Sequence, residues 1–237
     1  MKKTDKLYLI KSIGYTSIIL GSWLSVHIYS VFFYSLDSPI WKTLILISIQ
    51  CWLYAGIFIV AHDAMHRSLF PRNHYINDMI GKLIVFIYAG FSWDIMRSSH
   101  HSHHNYSGTK DDPDFYAKEP QKFWPWYFSF FSNYFGPKQV LLMVIFTLVY
   151  IFIFSANYEN TIIMWALPAI LSSFQLFYFG TYLTHKSDKP FIDKHNARTN
   201  DFSFWISLLT CFHFGYHHEH HLCPHEPWWR LPHIKVK

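Results

Sequence analysis

The sequence predicts an all-helical membrane protein with four transmembrane helices and a cytoplasmic cap of histidine-rich helices. Three observations lead to this fold class. Of the 237 residues, 51% are hydrophobic and only 15% are charged. Four long stretches contain no Asp, Glu, Lys or Arg. Sixteen of the 17 histidines lie at residue 62 or later, and most of these fall in the polar segments.

Each charge-free stretch is long enough to cross the hydrocarbon core of a bilayer, which needs about 20 apolar residues. A fifth apolar stretch, Leu83 to Trp93, has only 11 residues and therefore predicts an interfacial or buried helix. We treat residues 1–237 as a single membrane domain. Its predicted spans lie at about 12–36, 43–62, 139–158 and 160–185.

The basic residues predict the orientation of these spans. Four precede the first span, seven lie between His62 and Pro137, and seven follow His185, whereas the opposite loops hold only Lys42 and Lys138. Cytoplasmic loops carry the excess of Lys and Arg. We therefore expect segments 63–137 and 186–237, and both termini, to be cytoplasmic, as for a protein of the bacterial inner membrane. This asymmetry also explains the net charge of +5 without a nucleic-acid partner.

Most histidines form three clusters on the predicted cytoplasmic side. The clusters are His62-Asp63-Ala64-Met65-His66, His100-His101-Ser102-His103-His104 and His217-His218-Glu219-His220-His221. Residues three and four apart share one face of a helix, so His101 and His218 point away from the face that their neighbours share. His185 ends the last span, at the same depth as His62. The predicted metal ligands are His62, His66, His100, His103, His104, His185, His217, His220 and His221.

The number and type of these residues exclude several metal sites. Neutral imidazole binds iron, zinc and copper, and nine imidazoles exceed the four that one tetrahedral zinc uses. Two metal ions are therefore expected. The chain has no H-E-x-x-H motif and no Glu-x-x-His pair, so a zincin site and a carboxylate di-iron site are excluded. Haem needs only one or two axial histidines.

The three boxes and the additional histidine resemble the membrane desaturase and hydroxylase superfamily, whose members hold two irons in an all-histidine cytoplasmic site beneath four spanning helices. Within it, the runs between the boxes resemble the bacterial carotenoid ketolases. These runs are Tyr88-Ala89-Gly90-Phe91-Ser92-Trp93, Gly108-Thr109, Asp112-Pro113-Asp114-Phe115, His195-Asn196-Ala197-Arg198, Leu209-Thr210-Cys211-Phe212-His213-Phe214-Gly215 and Pro227-Trp228-Trp229-Arg230-Leu231-Pro232.

The resemblance implies O2-dependent oxidation of the ring methylene at position 4 of a carotenoid β-ionone ring to a ketone. β-Carotene would give echinenone and then canthaxanthin, through two hydroxylations at one carbon and loss of water. The implied cofactors are two iron ions and O2, and the substrate would enter from the membrane lipid. An external electron donor, with ferredoxin expected, is needed because the chain has no G-x-G-x-x-G fingerprint.

Carboxylates and aromatics near the boxes are further candidates. Asp114, in a run that matches the ketolases, is the preferred carboxylate to support the site, since metal-bound histidines usually donate to a carboxylate or carbonyl. The other available acids are Asp63, Asp94, Asp112 and Glu219. The aromatics expected to line a substrate cavity are Phe86, Phe91, Trp93, Phe174, Phe177 and Tyr178.

Other functions stay open at this point. Within the same fold, the alternatives are a carotenoid ring hydroxylase and a membrane acyl-lipid desaturase. A different class would be a non-catalytic metal- or haem-binding membrane protein. Two irons per chain would indicate the oxygenase, and an optical Soret band would indicate haem.

Overall fold

The computed structural model describes residues 3–234, and side chains from residue 6 onward. Lys2 and residues 235–237, which belong to the predicted cytoplasmic ends, lie outside the described residues. Within the described range the chain is helical, without a strand, and one isolated β-bridge joins Thr199 to Tyr216. The helices are α1 (Lys3–Ile28), α2 (Ile40–Met65), α3 (His74–Ala89), α4 (Trp93–Tyr106), α5 (Phe123–Tyr134), α6 (Pro137–Phe152), α7 (Tyr158–His185), α8 (Phe204–Cys211) and α9 (His217–Leu222).

Three helices in the described range are long and apolar enough to cross a membrane. They are α1 with its π-helical extension, over Lys6–Phe33, and then α2 and α7. Two further pairs reach this length only when taken together across a bend: α3 with α4, bent by 101°, and α5 with α6, bent by 73°. The described chain thus holds three candidate spans by length and composition, or up to five if each bent pair is one. The predicted all-helical membrane class is confirmed.

Two helices have bounds that differ from the sequence expectation. Trp93, at the end of the stretch 83–93, belongs to α4, and residues 83–89 belong to the longer helix α3. Helix α3 begins at His74 because the Asn73 side chain accepts a hydrogen bond from the Ile76 amide. It ends at Ala89, and the following Gly90 has a left-handed φ of 67°. In the region expected to span at 139–158, α6 ends already at Phe152 and the chain turns through Ser155, with φ of 54°.

Helix α2 lies at the centre of the bundle. Its second half is almost free of exposed surface, with Tyr54, Ala55 and Ile57 fully buried. It packs against α1, α3 and α7. The Phe212 ring can approach the α2 backbone at Gly56, because an added Cβ there would lie 2.5 Å from the ring. Because α2 is surrounded by other helices, the residues at its C-terminal end are also held inside protein.

The two ends of the bundle differ in character. At one end, the Asn160 amide donates to the carbonyls of Ser30 and Tyr34, at 3.1 and 2.7 Å, which joins the start of α7 to the end of α1. At the other end, the Tyr8 hydroxyl donates to the Ser68 carbonyl, and the Lys11 ammonium lies 5.5 Å from the Trp229 ring centre. This second end, which holds the clustered histidines, is called the histidine end below.

Candidate metal centre

The C-terminal ends of α2 and α7 supply three histidines. His62 lies in the last turn of α2 and His66 directly follows it, where Arg67 ends the helix with a φ of 57°. His185 is the last residue of α7. Because these positions close two long helices, their imidazoles lie at the same end of the bundle.

Helix α4 supplies three more histidines and is directed inward by its packing on α3. The bend of 101° follows the left-handed Gly90. Trp93, the first residue of α4, is buried against Gly81 of α3, where an added Cβ would lie 2.1 Å from the indole ring. With this helix fixed, His100, His103 and His104 point to the same side.

The short helix α9 carries the last three histidines, and all of its histidines are buried. A tight turn precedes it, in which Phe212 and His213 both have positive φ, at 47° and 61°. The Asn200 amide donates to the Gly215 carbonyl at 2.8 Å. This turn brings α9 back over the ends of α2 and α7.

The nine predicted ligands come together as two groups. One group contains five histidines and the other contains four, and within each group the candidate ligand atoms lie within 4.8 Å of one another. Within the groups, pairs of Nε2 atoms approach closely. The Nε2–Nε2 distance is 2.6 Å between His66 and His100, 2.9 Å between His104 and His220, and 3.2 Å between His217 and His221. The groups are His62, His66, His100, His104 and His220, and His103, His185, His217 and His221.

These residues fit a pair of metal ions. Several buried imidazole nitrogens have no hydrogen-bond partner in the described chain, among them both nitrogens of His62 and Nε2 of His185. Unpaired buried polar atoms are costly, and a bound metal would satisfy them. Burial and then the neighbouring imidazoles hold the pKa of His217, His220 and His221 well below the usual range. The rings are therefore neutral, which is the form that binds a metal.

Hydrogen bonds behind the imidazoles set their orientation. His103 donates from Nδ1 to Asp112 Oδ1 at 2.9 Å, and His185 donates from Nδ1 to the Asn196 carbonyl at 2.7 Å. Both bonds leave Nε2 free to face the group. Asp112 is fully buried and also accepts from the amides of Gly108 and Asp114, at 2.9 and 2.8 Å.

Asp114, the preferred carboxylate from the sequence, contacts none of the nine histidines by a hydrogen bond. Its carboxylate accepts instead from the Tyr134 hydroxyl at 2.5 Å, and its backbone carbonyl accepts from the Trp126 indole at 2.7 Å. Burial raises the pKa of Asp114 to about 6. The carboxylate that supports a grouped histidine is thus Asp112, two residues earlier in the same run.

The remaining histidines of the boxes lie outside both groups. His101 is exposed on α4, and His218 donates to Asp193 Oδ2 at 2.9 Å. His213 is buried beside the rings of Phe204 and Trp228, and burial lowers its pKa to about 4. The helical spacing thus separates grouped from ungrouped rings within each box.

An apolar cavity of about 470 Å³ reaches the histidine groups, and His62, His100, His103 and His217 form part of its wall. Its volume falls in the range of small-molecule sites. Of the six aromatics expected to line it, only Phe91 does so. Trp93 and Phe177 are buried in helix packing instead, and Phe174 stacks on Tyr127. Four of the nine Phe, Tyr and Trp residues in the wall come from α5 and the residue after it: Phe130, Phe131, Tyr134 and Phe135.

The helical body has apolar helices long enough to cross a membrane, and its apolar cavity adjoins two all-histidine groups whose atoms could hold metal ions. Residues 38–144 and 134–237 match the fatty acid desaturase family. The chain belongs to the fatty acid desaturase family.

Three relatives narrow this assignment. The beta-carotene ketolases of Paracoccus sp. (strain N81106 / MBIC 01143) and Paracoccus sp. (strain PC1) are both 44% identical to the chain. The alignments cover 92% and 94% of this chain and 90% and 91% of the relatives. The zeaxanthin 4-ketolase of Chlamydomonas reinhardtii is 32% identical, over 90% of this chain and 51% of that protein. The predicted resemblance to the carotenoid ketolases is confirmed.

Proposed function

We propose that the chain is a membrane di-iron oxygenase that oxidises a β-ionone ring methylene of a carotenoid to a ketone. The observation that carries this proposal is the apolar cavity whose wall includes histidines of both groups. The ketolase relatives support the substrate class, since they match almost the whole chain. β-Carotene would give echinenone and then canthaxanthin.

The nine grouped histidines would hold the two irons, one ion in each group. Bound iron with O2 supplies an oxidant strong enough to remove hydrogen from a methylene, which no side chain can do. Each of two successive hydroxylations consumes one O2, two electrons and two protons and releases one water. Loss of water from the resulting geminal diol gives the ketone. The electrons come from an external donor, for which a ferredoxin is our proposal.

The protein positions the ring and excludes water. The apolar lining favours a β-ionone ring over polar molecules, because water is expelled when such a surface is covered. Histidines form part of the cavity wall, so the ring carbon that reacts would lie beside them. Asp112 and the Asn196 carbonyl keep His103 and His185 in the tautomers that leave Nε2 available.

Asp114 is our proposed catalytic carboxylate. Asp114 and His103 both line the cavity, and Tyr134 already donates to Oδ1 of Asp114. After the first hydroxylation, the new ring hydroxyl would donate to this carboxylate. The intermediate would then stay in the cavity for the second oxidation.

We further propose four spans with both termini and the metal centre on the cytoplasmic side of the bacterial inner membrane. The basic residues of the sequence support this orientation. The contacts of Tyr8 with Ser68 and of Lys11 with Trp229 support placing the start of α1 and the C-terminal segment at one end of the bundle.

The test is pigment analysis after expression in cells that make β-carotene. We expect echinenone and canthaxanthin, whose keto groups extend the conjugation and redden the pigment, and neither should form with His103→Ala. Zeaxanthin without any keto product would contradict the ketolase proposal and favour a ring hydroxylase. Unchanged β-carotene beside newly unsaturated membrane lipids would favour the acyl-lipid desaturase.

A further inference from the structure

We propose that an open groove at the bend between α5 and α6 holds the polyene chain of the carotenoid while its ring occupies the cavity. The inference rests on the proposed function and adds a second binding region to it. The groove has a volume of about 600 Å³. It is lined by Phe135, Gly136, Pro137, Val140, Leu141 and Val144.

The groove lies next to the cavity. Phe135 lines both of them. On α6, Met143 and Thr147 line the cavity, whereas Val140 and Val144 line the groove. Residues three or four apart are neighbours on a helix surface, so these two rows lie side by side. A ligand that leaves the cavity past Phe135 therefore meets the groove directly.

The shape of the ligand requires such an exit. A conjugated polyene is rigid and several times longer than its terminal ring, so it cannot fold back into a cavity of about 470 Å³. The groove offers apolar surface for it, since Val140, Leu141 and Val144 are 49%, 60% and 49% exposed. When a polyene covers these side chains, their contacts with lipid chains are replaced by equally apolar contacts with the polyene.

Gly136 is a position at which the groove can be filled without disturbing the fold. Its φ of −106° and ψ of −171° are accessible to any residue. An added Cβ would meet only Gln139 Oε1, at an ordinary 3.7 Å. Neither the backbone nor the packing of the protein requires glycine here. A large side chain would instead project into the open groove at the bend.

The experiment compares a long and a short substrate. The full chain, in lipid vesicles with an electron donor system, is given β-carotene or β-ionone, which keeps the ring but has almost no polyene. Groove variants are Gly136→Phe and Val144→Trp. Gly136→Ala is the conservative control, and Ile145→Trp changes an exposed residue of α6 outside the groove. Keto products are measured by chromatography with mass detection.

We expect Gly136→Phe and Val144→Trp to lower β-carotene turnover at least tenfold, with β-ionone turnover within twofold of the unsubstituted protein. Ile145→Trp should change neither, and Gly136→Ala, which adds only one methyl group, should lower β-carotene turnover less than Gly136→Phe does. Equal loss of both substrates in the groove variants, or undiminished β-carotene turnover, would overturn the inference.

A binding measurement separates this inference from the proposed function. β-Carotene that co-purifies with the protein is quantified by absorption. If the unsubstituted protein forms no keto product from either substrate, the proposed function fails. The groove is then judged on binding alone: at least fivefold less β-carotene with Gly136→Phe than with Gly136→Ala supports it, and equal amounts refute it.

Discussion

At the scale of single residues, Asp112 is a buried carboxylate that is hydrogen-bonded to a grouped histidine. It accepts from His103 and from two backbone amides of its own loop. A carboxylate in this position fixes the tautomer of the imidazole and raises its basicity. Asp112 thereby joins the loop after α4 to the four-histidine group.

The first prediction concerns this carboxylate. Asp112→Asn should weaken iron binding by about 10- to 100-fold, the usual effect of losing a partner behind a metal ligand. The measurement is iron retained against a chelator series on purified protein. Asp111→Asn changes an exposed neighbour and is the matched control. Equal iron retention in the two variants would show that the His103 contact has no role in metal binding.

The second prediction uses adjacent histidines on α4. His100 belongs to the five-histidine group, and His101 is exposed outside it. His100→Ala should reduce bound iron from two per chain to one or none and abolish activity. His101→Ala should keep both irons and more than half of the activity. Iron analysis of the two proteins checks this prediction. Equal loss of iron in both variants would contradict the assignment of His100 as a ligand.

The third prediction tests Asp114. Asn has the same size and still accepts from Tyr134, but it carries no charge to hold a ring hydroxyl. Asp114→Asn should therefore release the singly hydroxylated carotenoid, with at least a tenfold rise in its ratio to the ketone and unchanged iron content. A uniform loss of both products would indicate that Asp114 is structural.

At the scale of elements, the packing of α3 on α4 determines where the second box lies. The fourth prediction is that Gly81→Ala lowers the free energy of unfolding by about 1–3 kcal/mol, because the rigid Trp93 ring must move. Gly14→Ala is the control in α1, where an added Cβ meets nothing within 4 Å. Apparent thermal midpoints in detergent give the comparison. Equal midpoints would mean that Trp93 does not hold α4.

Helical spacing decides which rings of a box share a face, so the sequence predicts the nine histidines that gather, but not how the second and third boxes divide between the two groups. It fails where position depends on a loop or a helix end. Asp112 and Asp114 belong to one run, and only the turn after α4 determines which of them reaches His103. Likewise, the Asn196 backbone carbonyl has no side-chain signal that could have revealed its bond to His185.

Helix bounds show the same limit. The absence of charged residues predicts apolar stretches but not their bends. The region 139–158 remains apolar past Phe152, yet the helix stops there. The aromatic residues from Phe123 to Phe135 are not among the six expected to line the cavity. The fold of α5 against α7 brings four of them to the cavity wall.

At the scale of the whole molecule, the fifth prediction concerns topology. The histidines of α2, α4, α7 and α9 meet at one end of the bundle, so the proposed orientation places the three boxes and His185 on one membrane side. A reporter fused after Lys118 should be active in the cytoplasm, and one fused after Tyr158 on the opposite side. The Tyr158 fusion is the internal control, and an extracytoplasmic Lys118 fusion would contradict the proposed architecture.

The position of α9 has a consequence for how the protein is made. Six of the grouped histidines belong to α2, its following residue, α4 and α7, whereas His217, His220 and His221 emerge from the ribosome after all of them. The two proposed irons would therefore have their full set of ligands only once α9 has folded back. Until then the nascent chain exposes a partial set of imidazoles, and such sets bind copper more strongly than iron. Correct loading consequently depends on which metal ions are available in the cell during synthesis, as well as on the finished fold.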